Sequence, residues 1–204
     1  MILSAKFIFW TVITMLKTLL LPALCLLSTS SFAHWQIDNE QSRVNFVSIK
    51  KDTIAEAHFF KSLSGEIKDN GLFSMQIDLT SIESNIPIRN TRMQEFLFET
   101  AQFPHLTLSA NVSSALESIK KGQSKVMSLP ASISLHGVNK EINVDVLITH
   151  QITGELIVTS MMPVLINAAD FGLTAGIEKL QQLAGLPSIA KAVPVSFVLT
   201  LEKH

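Results

Sequence analysis

The sequence predicts an all-β fold of about eight antiparallel strands, closed as a barrel or stacked as a sandwich, with two short helical excursions. Three observations carry that reading. Residues 132–150 hold two alternating runs, Ile133 and Leu135 in the first and Ile142, Val144, Val146 and Ile148 in the second, with Gly137 and Asn139 in the break between them. Period-two alternation on both sides of a glycine-bearing turn is the pattern of a β-hairpin with one apolar face. The same alternation recurs along the chain, and two segments depart from it at helical spacing.

In chain order, the first element is a leader. Residues 1–33 contain no acidic side chain, carry Lys6 and Lys17, and run through Thr-Leu-Leu-Leu-Pro-Ala-Leu-Cys-Leu-Leu into Ser-Thr-Ser-Ser-Phe-Ala. A short positive flank, an apolar run of roughly 10 residues and a small-x-small end mark a secretory signal peptide, with Ser31 and Ala33 in the small positions. Cleavage is expected between Ala33 and His34, which gives a signal peptide over 1–33 and one mature domain over 34–204; Met15 is an alternative start. The apolar stretch falls short of the roughly 20 residues of a membrane span, so no stable span is expected after cleavage. Cys25, the only cysteine, follows Leu24 where a lipoprotein leader has a small residue, and is read as part of the apolar run. The mature chain then needs no disulfide. These features point to a periplasmic or secreted protein.

The strands follow. Val44, Phe46 and Ser48 alternate with Asn45, Val47 and Ile49, and residues 58–67 supply another strand. Phe73, Met75, Ile77 and Leu79 alternate with polar neighbours after an Asp69-Asn70-Gly71 turn. Leu106, Leu108, Ala110 and Val112 repeat the pattern, as do Leu156, Val158 and Ser160, and finally Val195, Phe197, Leu199 and Leu201. The helical segments are residues 89–98, with Met93, Phe96 and Leu97 on one face, and residues 176–184, with Ile177, Leu180, Leu183 and Ala184, stopped by Gly185 and Pro187.

Little in the chain asks for chemistry. The formal net charge is −1 and no basic run exceeds a lysine pair, so nucleic acid is not a partner. His34, His58, His105, His136, His150 and His204 are scattered, with no pair at the i, i+4 spacing of a zinc protease. There is no Gly-x-Ser-x-Gly elbow, phosphate-binding glycine loop or dinucleotide fingerprint. Asp78, Glu83 and Asp170 are carboxylates of the kind that cap turns. No enzyme activity, resident cofactor or metal is expected. Twelve phenylalanines against no tyrosine, with Met75, Met93, Met127, Met161 and Met162, instead offer a deformable apolar lining suited to acyl or isoprenoid chains.

Four stretches resemble the YceI-like family of bacterial secreted proteins. Leu135-His136-Gly137-Val138-Asn139-Lys140 is similar to its Leu-x-Gly-Val-x-Lys hairpin, and Trp35-Gln36-Ile37-Asp38 with Ser42-Arg43-Val44-Asn45-Phe46 to its opening strands. Ser81-Ile82-Glu83-Ser84, Arg89-Asn90-Thr91-Arg92-Met93 and Phe103-Pro104 resemble its central helical excursion, and Asp170-Phe171-Gly172 the loop before the last strand. The resemblance implies a lipocalin-like barrel of about eight strands that holds a long isoprenoid chain. Asn90 stands where many relatives have aspartate, and Ala168 where they often have arginine, so the head group is left open.

The expected function is therefore binding of a polyisoprenoid or other amphiphilic lipid for transport or storage, as a monomer or homodimer. The candidate cavity residues are Phe46, Phe59, Phe60, Met93, Phe96, Leu97, Phe98, Phe171 and Leu180. A rival from another class is a copper-binding redox protein. A mature amino terminus at His34 would offer its α-amine and imidazole to Cu(II), with His58, His105, His136 or His150 as further donors.

Overall fold

Eight passes of the chain, each antiparallel to the one before it, form the wall of a barrel. In this computed structural model, which describes residues 34–204, twelve strands make up the eight passes. β1 (Trp35–Ile37) and β2 (Arg43–Lys50) form the first, and β3 (Ile54–Phe60) and β4 (Leu63–Ile67) return as the second. β5 (Leu72–Asp78) with β6 (Ile82–Glu83) is the third, and β7 (His105–Asn111) the fourth. β8 (Gln123–Leu135) and β9 (Val138–His150) follow as single long strands. β10 (Leu156–Ser160) with β11 (Val164–Asn167), and lastly β12 (Ala192–Lys203), complete the wall. The signal-peptide expectation for residues 1–33 lies outside the described residues.

Pairing runs β1–β4–β5–β7–β8–β9–β10–β12 and returns to β1, so the lower ring is closed. Trp35 of β1 lies opposite both Ile67 of β4 and Lys203 of β12. Above the ring the wall continues as an open sheet, β11–β12–β2–β3–β6, whose outer strands each pair on one side. The change from ring to open sheet follows breaks in three neighbouring passes, at residues 38–42, 61–62 and 79–81. Short polar side chains replace ladder bonds there. Asp38 accepts from the backbone N–H groups of Glu40 and Gln41 at 2.8 and 3.2 Å. Asn39 accepts from the Leu63 N–H at 2.6 Å and donates to the Lys61 carbonyl at 3.0 Å. Ser81 Oγ accepts from the Lys61 and Ser62 N–H groups at 3.2 and 3.0 Å.

The β8–β9 hairpin is tighter than its sequence suggests. Leu135 pairs directly with Val138, and the turn consists of His136 and Gly137 alone, at φ +52° and +76°. A two-residue type I′ turn requires positive φ at both central positions, and its twist matches that of the strands. Asn139 is therefore a strand residue. Alternation puts one face of each pass inside: Val144, Val146 and Ile148 of β9 are all buried, while Glu141, Asn143 and Asp145 are not.

Both expected helical excursions lie at the upper end. α1 (Pro87–Arg92) has its proline in the first turn, where a missing N–H costs nothing. It widens into a π-helical turn over Met93–Leu97, closed by the Phe98 N–H reaching the Met93 carbonyl at 2.9 Å. A third helix, α2 (Ser113–Glu117), was not anticipated; five residues cannot display a 3.6-residue period. It closes the lower end between β7 and β8. α3 (Thr174–Ala184) ends at Gly185, whose φ of +60° is the left-handed helix stop that glycine allows. Among the described residues, no helix is long and apolar enough to cross a membrane.

α3 meets the π-helical turn at Gly176. A Cβ there would collide with the Phe96 carbonyl oxygen and come within 2.8 Å of the Leu97 Cα, both backbone atoms of the facing turn. Gly176→Ala should gain about 1 kcal/mol of helix propensity yet lose more by pushing the two lids apart. The expected net loss is about 1–2 kcal/mol, read as a lower urea midpoint with unchanged m-value.

Candidate ligand cavity

Inside the barrel is a cavity of about 200 Å³ lined by apolar residues throughout. The lining from Leu129 to Leu135 along β8 alone covers roughly 20 Å of strand, so the space is a channel rather than a round hole. The strands supply it by alternation: Phe73, Met75 and Ile77 from β5, Leu106, Leu108 and Ala110 from β7, Ile142 to Ile148 from β9, and Val193 to Leu201 from β12. Ala115 and Leu116 of α2 form its floor, and Leu97, Phe98 and Ile177 reach it from the lids. Ala110 and Ala131 are opposite each other in register, which indents the wall.

Of the candidate residues, Phe46, Phe60, Leu97 and Phe98 line the cavity. Phe59, Met93, Phe96, Phe171 and Leu180 do not, and the reasons are local. Phe59 lies between the inward His58 and Phe60 on β3, so alternation turns it outward, with the Arg43 guanidinium 4.2 Å above its ring. Met93 and Phe171 are buried in the core without reaching the channel, and Leu180 packs against that core from outside. Phe96 is half-buried, with Lys179 Nζ 5.8 Å from its ring centroid. Most of the wall comes instead from strand positions that alternation had marked but could not assign to an inner or outer face.

The inner face of β2 and β3 changes character as it leaves the cavity. Val44 pairs with Phe60, Phe46 with His58, Ser48 with Glu56 and Lys50 with Ile54. Phenylalanine thus gives way to imidazole, then to hydroxyl and carboxylate. Phe98, Phe60, Phe46 and His58 form a row of neighbouring rings, with centroids 5.9, 5.6 and 5.1 Å apart. His58 is 2 % exposed, and its Nε2 is 2.8 Å from Ser48 Oγ. Glu56 binds Lys50 Nζ at 2.7 Å and pairs with the Arg89 guanidinium, which also donates to the Ser84 carbonyl. The Lys50 ammonium, with Arg89 beside it, holds the Glu56 carboxyl below its usual range. Burial first, then the Arg89 cation, pushes His58 down from 6.5 to about 4, so its ring is neutral at pH 7. Asn90 holds α1 to β6 by accepting from the Ser84 N–H at 2.9 Å and donating to Glu83 at 3.0 Å; an aspartate could not make that second bond.

No group of three or more metal-ligating side chains gathers among the described residues. The ring beside His34 belongs to His204, with centroids 6.0 Å apart.

A closed up-and-down barrel with an apolar channel and helical lids defines the lipocalin-like class, whose interior admits one small ligand. The chain belongs to the YceI-like family: the YceI-like domain model matches residues 35–201. It is similar to the structure of a polyisoprenoid binding domain from Saccharophagus degradans implicated in plant cell wall breakdown. That domain is 38 % identical, with a TM-score of 0.80 and coverage of 84 % of this chain and 98 % of the other. BcnA from Burkholderia cenocepacia shares the fold at 15 % identity and TM-score 0.61, covering 80 % and 98 %. A YCEI protein from Campylobacter jejuni shares it at 13 % and 0.51, covering 72 % and 84 %. No curated protein matches the chain.

The buried imidazole makes stability depend on pH. Its value is lower folded than unfolded, so the unfolded chain takes up the proton first, and stability falls as pH drops from about 6.5 towards 4. The expected loss is on the order of 3 kcal/mol across that window, with Glu56 adding a loss of the same sign at its lower end. Urea midpoints at pH 7, 5.5 and 4 should show it, and His58→Phe should flatten the upper part of the decline.

Proposed function

We propose that this protein holds one long apolar chain, of the polyisoprenoid or a related amphiphilic class, along the barrel axis, and that it is a non-catalytic binding protein for transport or storage. The observation that carries this reading is the unbroken apolar lining of the channel from α2 to the lids. Burial drives binding at about 25 cal/mol per Å² of apolar area, before the cost of ordering the chain. The name of the 38 % identical relative supports the isoprenoid class. Native mass spectrometry with organic extraction of protein from its own host should find a hydrophobic ligand near one per chain. A channel that neither retains nor takes up such a molecule removes the reading. Ala131→Phe sets a ring into the indented wall opposite Ala110. It should weaken a long-chain prenol at least about tenfold, some 1.4 kcal/mol, without lowering the thermal midpoint.

The leader supports export to the periplasm or beyond, with a mature terminus at His34. Amino-terminal sequencing of exported protein should read His-Trp-Gln-Ile; lipid on Cys25 would replace this with an anchored form. A copper-binding terminus is the second reading, favoured by the neighbouring rings of His34 and His204. It requires tight one-to-one Cu(II) binding that His34→Ala abolishes, and a titration without a tight site disposes of it.

A further inference from the structure

We infer that this protein pairs with a second copy of itself, side by side, through the outer face of β10, β11 and β12. The interface does not depend on what the channel holds. Val126, Met161, Met162, Leu165 and Val198 are 56, 49, 67, 72 and 39 % exposed, half of the large exposed apolar residues among those described. Strand register gathers them on one side of the wall. Val126 is opposite Leu147, Leu147 opposite Thr159, and Thr159 opposite Val198, a single rung across β8, β9, β10 and β12. The neighbouring Val146, Val158 and Leu199 line the cavity, so alternation turns this rung outward. Met161 and Met162 follow at the corner between β10 and β11, and Leu165 lies just beyond on β11. Apolar residues scattered singly over a surface are ordinary, whereas a contiguous group marks a contact.

The edge beside this group is unguarded. Among the described residues β11 pairs with β12 alone, and its four residues, Val-Leu-Ile-Asn, carry no charge. Native edge strands are usually blunted by a lysine, a bulge or a covering element. Here the outward Leu165 and the two methionines stand next to the open edge instead. One covering partner accounts for both features.

Charge selects a second copy as that partner. Arg43 of β2 is opposite Val198 at one end of the rung. Asp145 of β9 stands at the other end, two residues from Leu147 and on the same face. Both are exposed, and among the described residues neither forms an ion pair. With β12 and β10 between them, they are roughly three strand spacings, about 14 Å, apart. A two-fold axis running along the strands between β10 and β12 lays the β10–β11 pass of each copy on β12 of the other. Thr159 then meets Val198, and Leu165 meets Pro194, residues that already share a rung within one chain. The same rotation carries Arg43 of each copy over β9 of the other, one step along the strand from Asp145. An isologous interface makes every contact twice, so the apolar strip is closed by an ion pair on each flank. An anionic bilayer would be opposed by Asp145, whereas a second copy matches both charges.

Sedimentation velocity of the purified protein over a wide concentration range should show a reversible monomer–dimer equilibrium. Arg43→Asp and Asp145→Arg should each weaken it about tenfold or more, because each sets like charges against one another. Mixed in equal amounts, the two variants should form a heterodimer of near wild-type affinity, since every charged contact then joins opposite signs again. Leu165→Asp should weaken the dimer through the apolar strip alone, and it keeps the test decisive should a charge variant misfold. A protein that stays monomeric at every concentration overturns the inference. So does a dimer that ignores these substitutions, or a mixture of the two charge variants that remains monomeric. Binding of a monomer to phosphatidylglycerol vesicles, lost in Leu165→Asp, would assign the strip to a membrane surface and overturn the dimer.

Discussion

The barrel closes through a strand of three residues. β1 is paired on one side to β4 and on the other to the end of β12, and those few rungs join the second pass to the last. The Trp35 indole anchors the junction by donating to the Gly154 carbonyl at 3.1 Å, tying the closing strand to the turn before β10. An eight-stranded sheet that failed to close here would present two edges and expose an apolar interior to water. Once it closes, the inward side chains face one another across an axis that they do not fill. The channel is a consequence of this closure geometry and of how much volume the inward residues bring.

The breaks at residues 38–42, 61–62 and 79–81 divide the wall into two parts. Below them the side chains that line the cavity are all apolar, while the His150 imidazole stands at the lower end, opposite Leu156. Above them β2 and β3 extend beyond the ring, the inner face meets α1, and polar side chains gain partners there. Placing His58 lower, among Phe73 and Leu108, would leave it no hydroxyl and no nearby cation. Placing Phe46 higher would set a bare ring against Lys50 and Glu56. Apolar channel and polar rim are thus one strand pair read at two heights.

Most of the fold was legible in the chain because it rests on local patterns. Alternation located the strands, Gly137 marked the turn between β8 and β9, and Pro87 and Gly185 marked where α1 starts and α3 stops. The true hairpin turn was narrower than the glycine and asparagine suggested, since Val138 pairs across to Leu135. Sequence reading did less well for the cavity. Four of the proposed phenylalanine, methionine and leucine residues line it, while Phe59 and its companions pack elsewhere. Period-two alternation says which residues share a face but not which face is inside, and residue type alone favoured bulk. The alanines opposite each other at 110 and 131 matter as much as any phenylalanine, because a channel needs small residues as well as large ones. The cluster of Lys50, Glu56 and Arg89 joins the β2–β3 hairpin to a helix residue 33 positions beyond Glu56, and no spacing rule could reveal it.

The open upper sheet has a kinetic consequence. A molecule inside the ring cannot leave sideways without breaking a closed ladder, whereas β6 and β11 above the ring are each held on one side only. Opening there separates side chains and short turns but leaves the eight-membered ring intact. On the proposed reading, the apolar length of the lower ring would set affinity and the contact of α3 on the π-helical turn at Gly176 would set residence time. Under that reading, holding and release would be adjustable separately within one domain.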